Sequence, residues 1–316
     1  TIGYFHHIPF PAYGLYAQLP WRRQVLEGLL GADVIGFQRV ADAGNFARAV
    51  RRQLGFDTKA GAISVPTEDG GVRTAVARAY PISIDAAEYE ELAKRPDIRA
   101  RAEEIRSSLG NPKAILLGVD RLDYTKGIRH RLKAYGELLA DGRLSVHDVI
   151  LVQVASPSRE RVQTYMELRD EIELTVGRIN GDADELGYSA IQYLHHSYPR
   201  EEMVALFLAA DVMLVTALRD GMNLVAKEYV ASRVDGGGAL VLSEFTGAAD
   251  ELTQAIKVNP HDISGLKDAI MQAIEMPDKE KDRRMRALRR RVRENDVAKW
   301  SERFLSELRT AREARP

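Results

Sequence analysis

Short apolar runs that alternate with longer helix-forming stretches constrain this chain more than any other feature. Ala32–Phe37, Ala114–Val119, Val149–Ala155, Ala190–Leu194, Asp211–Thr216 and Ala239–Ser243 each read as a short buried strand. Helical patterns lie between them over Ala41–Leu54, from about Gly127 to Ala140, and over Ser158–Val176, with Val162, Tyr165, Ile172 and Val176 along one face. Strand and helix in alternation predict parallel α/β architecture.

The opening departs from this rhythm. Thr1 leads directly into Ile2–Phe5, which has the character of an interior strand although no neighbour precedes it. The expectation is a fragment, or a chain whose N-terminal part is unseen. A proline-rich turn, Ile8-Pro9-Phe10-Pro11, and a helix near Trp21–Leu30 follow. Ala62–Ala79 reads as a hairpin turning at Glu68-Asp69-Gly70-Gly71, and a charged helical stretch runs from Pro81–Asp85 to near Gly110. The domain boundary falls near Pro81–Asp85. Ile263, Leu266, Ile270 and Ile274 mark an amphipathic helix, and Asp278 to about Arg312 reads as one or two charged helices with Val297, Trp300, Phe304 and Leu308 on an apolar stripe.

Composition narrows the function classes. With 316 residues, 45% hydrophobic and 29% charged, there is room for two modest cores. A net charge of −1 gives no whole-molecule field to recruit nucleic acid or acidic membranes. The absence of cysteine rules out a disulfide scaffold or thiolate metal site and fits a reducing, cytoplasmic setting. No apolar run reaches the roughly 20 residues that span a bilayer, and no signal peptide opens the chain.

Two segments carry chemistry. Arg219-Asp220-Gly221-Met222-Asn223-Leu224-Val225-Ala226-Lys227-Glu228-Tyr229-Val230 follows a buried strand, breaks it with a charged turn and continues as a helix. A carboxylate at a strand's carboxyl end, a glycine permitting close approach and free helix N–H groups suit a polar, anionic ligand. Glu228, two turns in, is placed to accept hydrogen bonds from sugar hydroxyls. Gly118–Gly127 is the second segment, with Arg121 and Lys126 on the loop between a strand and a helix. A planar donor fork plus a point charge suits a diphosphate. The competing reading pairs Arg121 with Asp120 or Asp123 and leaves Lys126 to solvent.

Other features read as structural. The pair His195-His196 points two ways, and no metal-ligand cluster emerges among the histidines and carboxylates. Gly236-Gly237-Gly238 precedes a strand rather than following one, so it reads as a flexible connector and not a phosphate loop. The arginine-rich run 283–293 resembles a nucleic-acid patch. Its acidic flanks and Met285, Leu288 and Val292 favour a docking helix with a solvated basic side.

The segments Val119–Gly127 and Arg219–Val230, in that order, resemble the donor-site signatures of the trehalose-6-phosphate synthase family, retaining glycosyltransferases of the GT-B fold. The likeness also takes in 7–11, 35–38, 156–159, 177–181 and 242–248, and several segments are worded most like actinobacterial members. The resemblance implies two Rossmann-like parallel-sheet domains, the first incomplete. Residues 1–84 would belong to the acceptor-side domain and 85–290 to the nucleotide-sugar domain, with 291–316 a helix packing back toward the first.

It further implies glucosyl transfer, with retention and without metal or cofactor, from a nucleotide-glucose to glucose 6-phosphate. Arg121 and Lys126 match the pair that holds the donor diphosphate and neutralises the leaving group. Asp220 matches the carboxylate on the donor glucose hydroxyls, and Glu228 the residue on the ribose. Backbone N–H groups of Met222, Asn223 and Leu224 would bind phosphate or sugar oxygens. Tyr198 falls where relatives contact the base through the backbone. Arg159 matches an arginine on the acceptor's phosphate, with Ser158 as a cap of the same helix end. His7 matches a histidine near the glucose C6 hydroxyl and reaction centre.

The chain departs from the family in three ways. The family's N-terminal segment, with a glycine-bearing loop and further acceptor-binding residues, is not in these 316 residues. Ala217 replaces the usual proline, and His6 stands at a commonly apolar position. The donor base, homo-oligomer formation, a sister activity on another phosphorylated acceptor such as glycerol phosphate, and a non-catalytic nucleotide-sugar-binding fragment all stay open.

Overall fold

Two sheets organise the chain, and the order of their strands decides where a ligand can sit. The computed structural model describes residues 1–183 and 187–313; positions 314–316 of the expected C-terminal region lie outside them. The chain separates into one unit of residues 1–83 with the tail from 295, and a second of residues 84–294.

The first unit contains β1 (Gly3–His6), α1 (Tyr13–Tyr16), α2 (Arg22–Leu29), β2 (Val34–Phe37), α3 (Val40–Leu54), β3 (Thr58–Lys59), β4 (Ala62–Pro66) and β5 (Val72–Ala79). Its sheet runs β1-β2-β5-β4-β3. β1, β2 and β5 are parallel, with Gly3 opposite Val34 and Val34 opposite Val76, whereas β4 pairs antiparallel to β5 as the expected hairpin. The sheet is therefore mixed, and β1 lies on its edge in this chain. Phe10, Phe37, Phe46, Leu26 and Ile35 build the core.

The second unit begins with α4 (Ala86–Lys94) and α5 (Pro96–Ser108), so the expected single charged helix is broken at Pro96. Proline at the first helical position has no N–H to give the preceding turn, and Arg95 before it is held extended. Then come β6 (Ala114–Arg121), α6 (Ile128–Ala140), β7 (Val149–Ser156), α7 (Gln163–Asp182), β8 (Ile191–Leu194), α8 (Arg200–Ala209) and β9 (Val212–Val215). α9 (Leu224–Ser232), β10 (Ala239–Ser243), α10 (Ala248–Glu251), β11 (Ile256–Val258), α11 (Ile263–Glu275) and α12 (Asp278–Glu294) complete it. α12 runs unbroken through the division expected at 290/291.

This sheet runs β11-β10-β9-β6-β7-β8 and every pairing in it is parallel. The chain moves outward from β6 through β7 to β8, then returns to β9 on the other side of β6. The carboxyl ends of β6 and β9 thus flank the point where the winding reverses, which opens a crevice in such sheets. Both faces are covered by helices, which is why the strands read as unbroken apolar runs.

α13 (Val297–Glu313) belongs to the first unit. Trp300 and Phe304 meet the Phe5 ring edge-on, the Trp300 indole donates to the Tyr80 carbonyl at 3.0 Å, and Glu307 pairs with Arg78 at 2.9 Å. On α12, Met285, Leu288 and Val292 are buried, while Arg283 and Arg284 pair with Glu280, Arg286 with Asp282, and Arg289 and Arg293 with Glu90. These five arginines are thus engaged within the unit. Gly236-Gly237-Gly238 is not an open connector: Gly236 and Gly238 take positive φ, and a side chain at 238 would collide with the Tyr229 hydroxyl. Among the described residues no helix is long and apolar enough to cross a membrane.

Candidate active site

Backbone contacts between two loops, each leaving its strand at the reversal point, build the centre of the site. Leu218 N–H donates to the Thr125 carbonyl at 2.7 Å, and the Thr216 hydroxyl donates to the Gly127 carbonyl at 3.3 Å. Gly127 has φ +67°, and any side chain there would run into the Thr216 carbonyl. A glycine is required on both counts. On the other flank Asp220 N–H donates to the Phe245 carbonyl at 3.1 Å, and a side chain at Gly247 would collide with the Gly221 carbonyl. The loop after β9 is held from both sides by backbone.

The consequence is an ion pair between segments 94 residues apart: Lys126 Nζ lies 2.7 Å from Asp220 Oδ2, with the two side chains 13% and 17% exposed. Asn223 donates its side-chain amide to the same carboxylate oxygen at 3.2 Å, and its own Oδ1 accepts Ala226 N–H as the N-cap of α9. Asn223 adopts φ +83° in doing so. The N–H groups of Met222, Asn223 and Leu224 donate to no other described residue, leaving donors at the helix start. Lys126 is therefore not left to solvent, as the competing reading had it.

Arg121 is the last residue of β6 rather than part of the loop, and it is exposed. Its expected acidic partners are engaged elsewhere. Asp120 is buried and accepts from Arg131 Nη1 at 2.6 Å; Arg131, fully buried, also reaches Gln153 at 2.7 Å. Gly118 makes room for that guanidinium. Asp123 accepts from the Thr125 N–H and hydroxyl at 2.8 and 2.7 Å. Burial works to raise the Asp123 pKa, but those bonds, with Lys126 nearby and the Tyr165 hydroxyl, hold it below the usual carboxylate range. The Arg121 side chain makes no hydrogen bond or ion pair with another described residue, so its guanidinium is available.

The loop after β7 joins this edge. Arg159 is exposed, with φ +48°, and donates to the Tyr165 hydroxyl at 3.2 Å while its guanidinium lies 5.5 Å from that ring's centroid. Tyr165 in turn donates to Asp123 at 3.3 Å. Ser158 does not cap the following helix: α7 starts only at Gln163, Val162 is its N-cap residue without a side-chain bond, and Val162 is exposed instead of on the buried face. The departure from helical φ at Arg159 accounts for the late start. Tyr198, in the loop after β8, is half-buried against His196. His195 turns away and meets the Ala155 carbonyl at 3.0 Å, in keeping with a structural role for the histidine pair.

Glu228 is the fifth residue of α9, not two turns in, and α9 packs against α4. Tyr89 of α4 lies nearby, and the Arg200 guanidinium lies over the Tyr89 ring at 5.4 Å. Burial raises the Glu228 pKa, opposed by the nearby Tyr89 hydroxyl and the Arg200 charge. The adjacent Lys227 is buried the other way and pairs with Glu251 at 2.9 Å. Burial lowers its pKa, against the pull of Glu251.

His7, in the first unit, sits just past the carboxyl end of β1, exposed, with its ring 4.8 Å from that of Phe5. Phe10 N–H to Asp42 and Asn45 to the Phe10 carbonyl, both 3.1 Å, fasten the following turn to α3. His6 packs against Phe10 and Phe37, and burial, reinforced by His7, lowers its pKa. Among the described residues no three His, Asp or Glu side chains converge as a metal site would need. Sequence reasoning missed Arg131 and Tyr165 as supports. Only Gly118, a glycine inside a strand, signals a close approach in advance.

Residues 1–310 match the profile of glycosyltransferase family 20. A trehalose-6-phosphate synthase of Mycobacterium avium is 56% identical over 312 residues, covering 98% of this chain and 63% of that protein. One of Mycobacterium bovis is 55% identical over 312 residues, covering 98% and 62%. The chain thus spans less than two thirds of the length of these relatives. Among solved structures, a UDP-forming alpha,alpha-trehalose-phosphate synthase of Burkholderia xenovorans in complex with glucose-6-phosphate superposes with a TM-score of 0.90, at 38% identity over 98% of this chain and 68% of the other. An Escherichia coli protein bound with UDP-2-fluoro glucose gives 0.90 at 36% identity, over 97% and 67%.

Proposed function

The chain belongs to glycosyltransferase family 20, and from that premise we propose that the protein carrying it moves glucose from a nucleotide-glucose to glucose 6-phosphate, giving trehalose 6-phosphate. The fold is of the GT-B type, as in the trehalose-phosphate synthases it superposes on. The observation that carries the reading is the Lys126–Asp220 contact at the winding reversal. It sets a cation and a sugar-gripping carboxylate side by side, with free helix N–H groups beyond them.

In this reading Arg121 and Lys126 hold the donor diphosphate, Asp220 the glucose hydroxyls, and Glu228 the ribose. The N–H groups of Met222, Asn223 and Leu224 take phosphate or sugar oxygens, and Tyr198 lies by the base. Residues 84–294 form the donor domain, residues 1–83 with α13 the acceptor side, and His7 serves the reacting sugar. The bond from the anomeric carbon to phosphate breaks as the bond to the acceptor oxygen forms on the same face, and the acceptor's proton passes to the departing phosphate. The developing negative charge is what Lys126, held in place by Asp220 before substrate arrives, and the unpaired Arg121 guanidinium stabilise. Until then Asp220 neutralises Lys126, so neither charge stands unpaired at a half-buried site. Arg159, steadied by Tyr165, supplies the fork for the acceptor's phosphate.

Product analysis with UDP-, GDP- and ADP-glucose against glucose 6-phosphate, glycerol phosphate and unphosphorylated glucose tests this. Trehalose 6-phosphate from the glucose 6-phosphate reaction is the expected product. A product from glycerol phosphate alone would assign a sister activity, and none from any pair would leave a nucleotide-sugar-binding protein.

A further inference from the structure

Two loops of the second unit are tied together by one side chain. Tyr165, on the first turn of α7, is buried, and its hydroxyl bridges the loop after β7 to the loop after β6. It accepts from Arg159 Nη1 at 3.2 Å and donates to Asp123 Oδ2 at 3.3 Å. The other oxygen of Asp123 is taken by the N–H and the hydroxyl of Thr125, the residue before Lys126. This chain of bonds can run in one direction only, because a guanidinium donates, an ionised carboxylate accepts and a hydroxyl does both. We propose that Tyr165 is a positioning residue for the acceptor: with Asp123 behind it, its hydroxyl fixes the Arg159 guanidinium relative to the Lys126 loop, and the guanidinium's free edge meets the phosphate of a phosphorylated sugar. This rests on the reading of Arg159 given above. It adds the two side chains, Tyr165 and Asp123, that decide how tightly the phosphate is held.

The physical need for such a support follows from exposure. Arg159 is exposed, and a long side chain left free loses rotamer freedom when it closes on a ligand. Contacts made beforehand remove part of that cost. The Tyr165 hydroxyl takes one N–H, and the guanidinium lies 5.5 Å from the centroid of the same ring. Both contacts help to hold the Arg159 backbone at φ +48°, a region that side chains rarely enter. The Tyr124 ring meets Tyr165 edge-on at 5.8 Å and restrains the supporting ring in turn. A guanidinium carries five N–H donors, and the Arg159 side chain makes no other hydrogen bond or ion pair with a described residue. Its Nε–Nη2 edge is left for two phosphate oxygens, the bidentate arrangement that suits arginine best. A phosphate remote from the reacting hydroxyl is gripped equally before and during transfer, so its loss belongs in KM and not in kcat.

Initial rates are measured for the full-length protein carrying this chain, with its preferred nucleotide-glucose as donor and glucose 6-phosphate varied. The wild type is compared with Arg159→Ala, Tyr165→Phe and the double variant. Tyr165→Phe keeps the ring and its contacts with Arg159 and Tyr124, so thermal unfolding should hardly change. The expected result is a KM for glucose 6-phosphate raised about three- to tenfold, with kcat and the KM for the donor unchanged. In the Arg159→Ala background the same substitution should have no further effect, because the hydroxyl acts through the arginine. If Arg159→Ala leaves the KM for glucose 6-phosphate at the wild-type value, the acceptor reading fails and the proposal with it. If Arg159→Ala raises that KM but Tyr165→Phe does not, or raises it equally in both backgrounds, the acceptor reading stands and the positioning role is wrong. Should Tyr165→Phe not fold, Asp123→Asn takes its place: the amide oxygen keeps the Thr125 bonds, while the nitrogen faces the Tyr165 hydroxyl and deprives it of its acceptor. The KM for glucose 6-phosphate must rise there too, and an unmoved value overturns the proposal.

Discussion

The two units place their candidate residues by different means. In the second, Lys126 and Asp220 come together because the Leu218 N–H bonds the Thr125 carbonyl, the Thr216 hydroxyl bonds the Gly127 carbonyl, and two glycines admit an approach no side chain would survive. In the first, His7 is carried by an aromatic stack: Phe5 against His7 and Trp300, and His6 among Phe10 and Phe37. Backbone bonds fix distance and direction together, whereas aromatic packing fixes a plane and tolerates exchange of one ring for another. The lesson is that the charged residues of the second unit should behave as one assembly, sensitive to a single atom in the loop, while the surroundings of His7 should accept substitution of comparable volume.

The largest effect that would sharpen this contrast is expected from Gly127→Ala. The left-handed φ alone costs a non-glycine residue about 1–2 kcal/mol, and the collision with the Thr216 carbonyl adds to that and separates the loops. Chemical denaturation should show the loss of stability, and UDP binding should fall with it. Wild-type values for both would mean that the loops are not held as described.

A smaller effect of opposite sign is expected from His6→Phe in the first unit. The His6 pKa is lowered from 6.5 by burial and by His7. Below that value the unfolded chain takes up a proton that the folded one resists, so stability is lost as pH falls through 6.5 toward the folded pKa. A phenylalanine removes that term and keeps a ring against Phe10 and Phe37. The drop in melting temperature between about pH 8 and about pH 5 should shrink. A larger drop would show that the protonated imidazole has a partner and that the region is not governed by ring packing.

How much of this was legible beforehand varies with the distance over which residues act. The apolar runs gave the parallel strands from β6 to β10 within a residue or two, because a strand buried on both faces leaves no polar position to confuse its ends. Three-residue β11 passed unnoticed, being shorter than any periodicity can register. The late start of α7 was hidden because Ser158 looks like a cap, and only the backbone at Arg159 shows otherwise. Local wording singles out Arg121, Lys126, Asp220 and Glu228 as candidates. It does not single out their partners. Asp120 turning to Arg131 depends on how α6 packs against β6, and a sequence records no such packing.

The central claim is that the β6 and β9 ends form one nucleotide-diphosphate site, and calorimetric titration of UDP, then GDP and ADP, tests it most directly. The account predicts that one of them binds in the micromolar range and that Arg121→Ala weakens it by about ten- to a hundredfold with no change in unfolding temperature. Binding that is indifferent to Arg121→Ala, or absent for all three nucleotides, would contradict it.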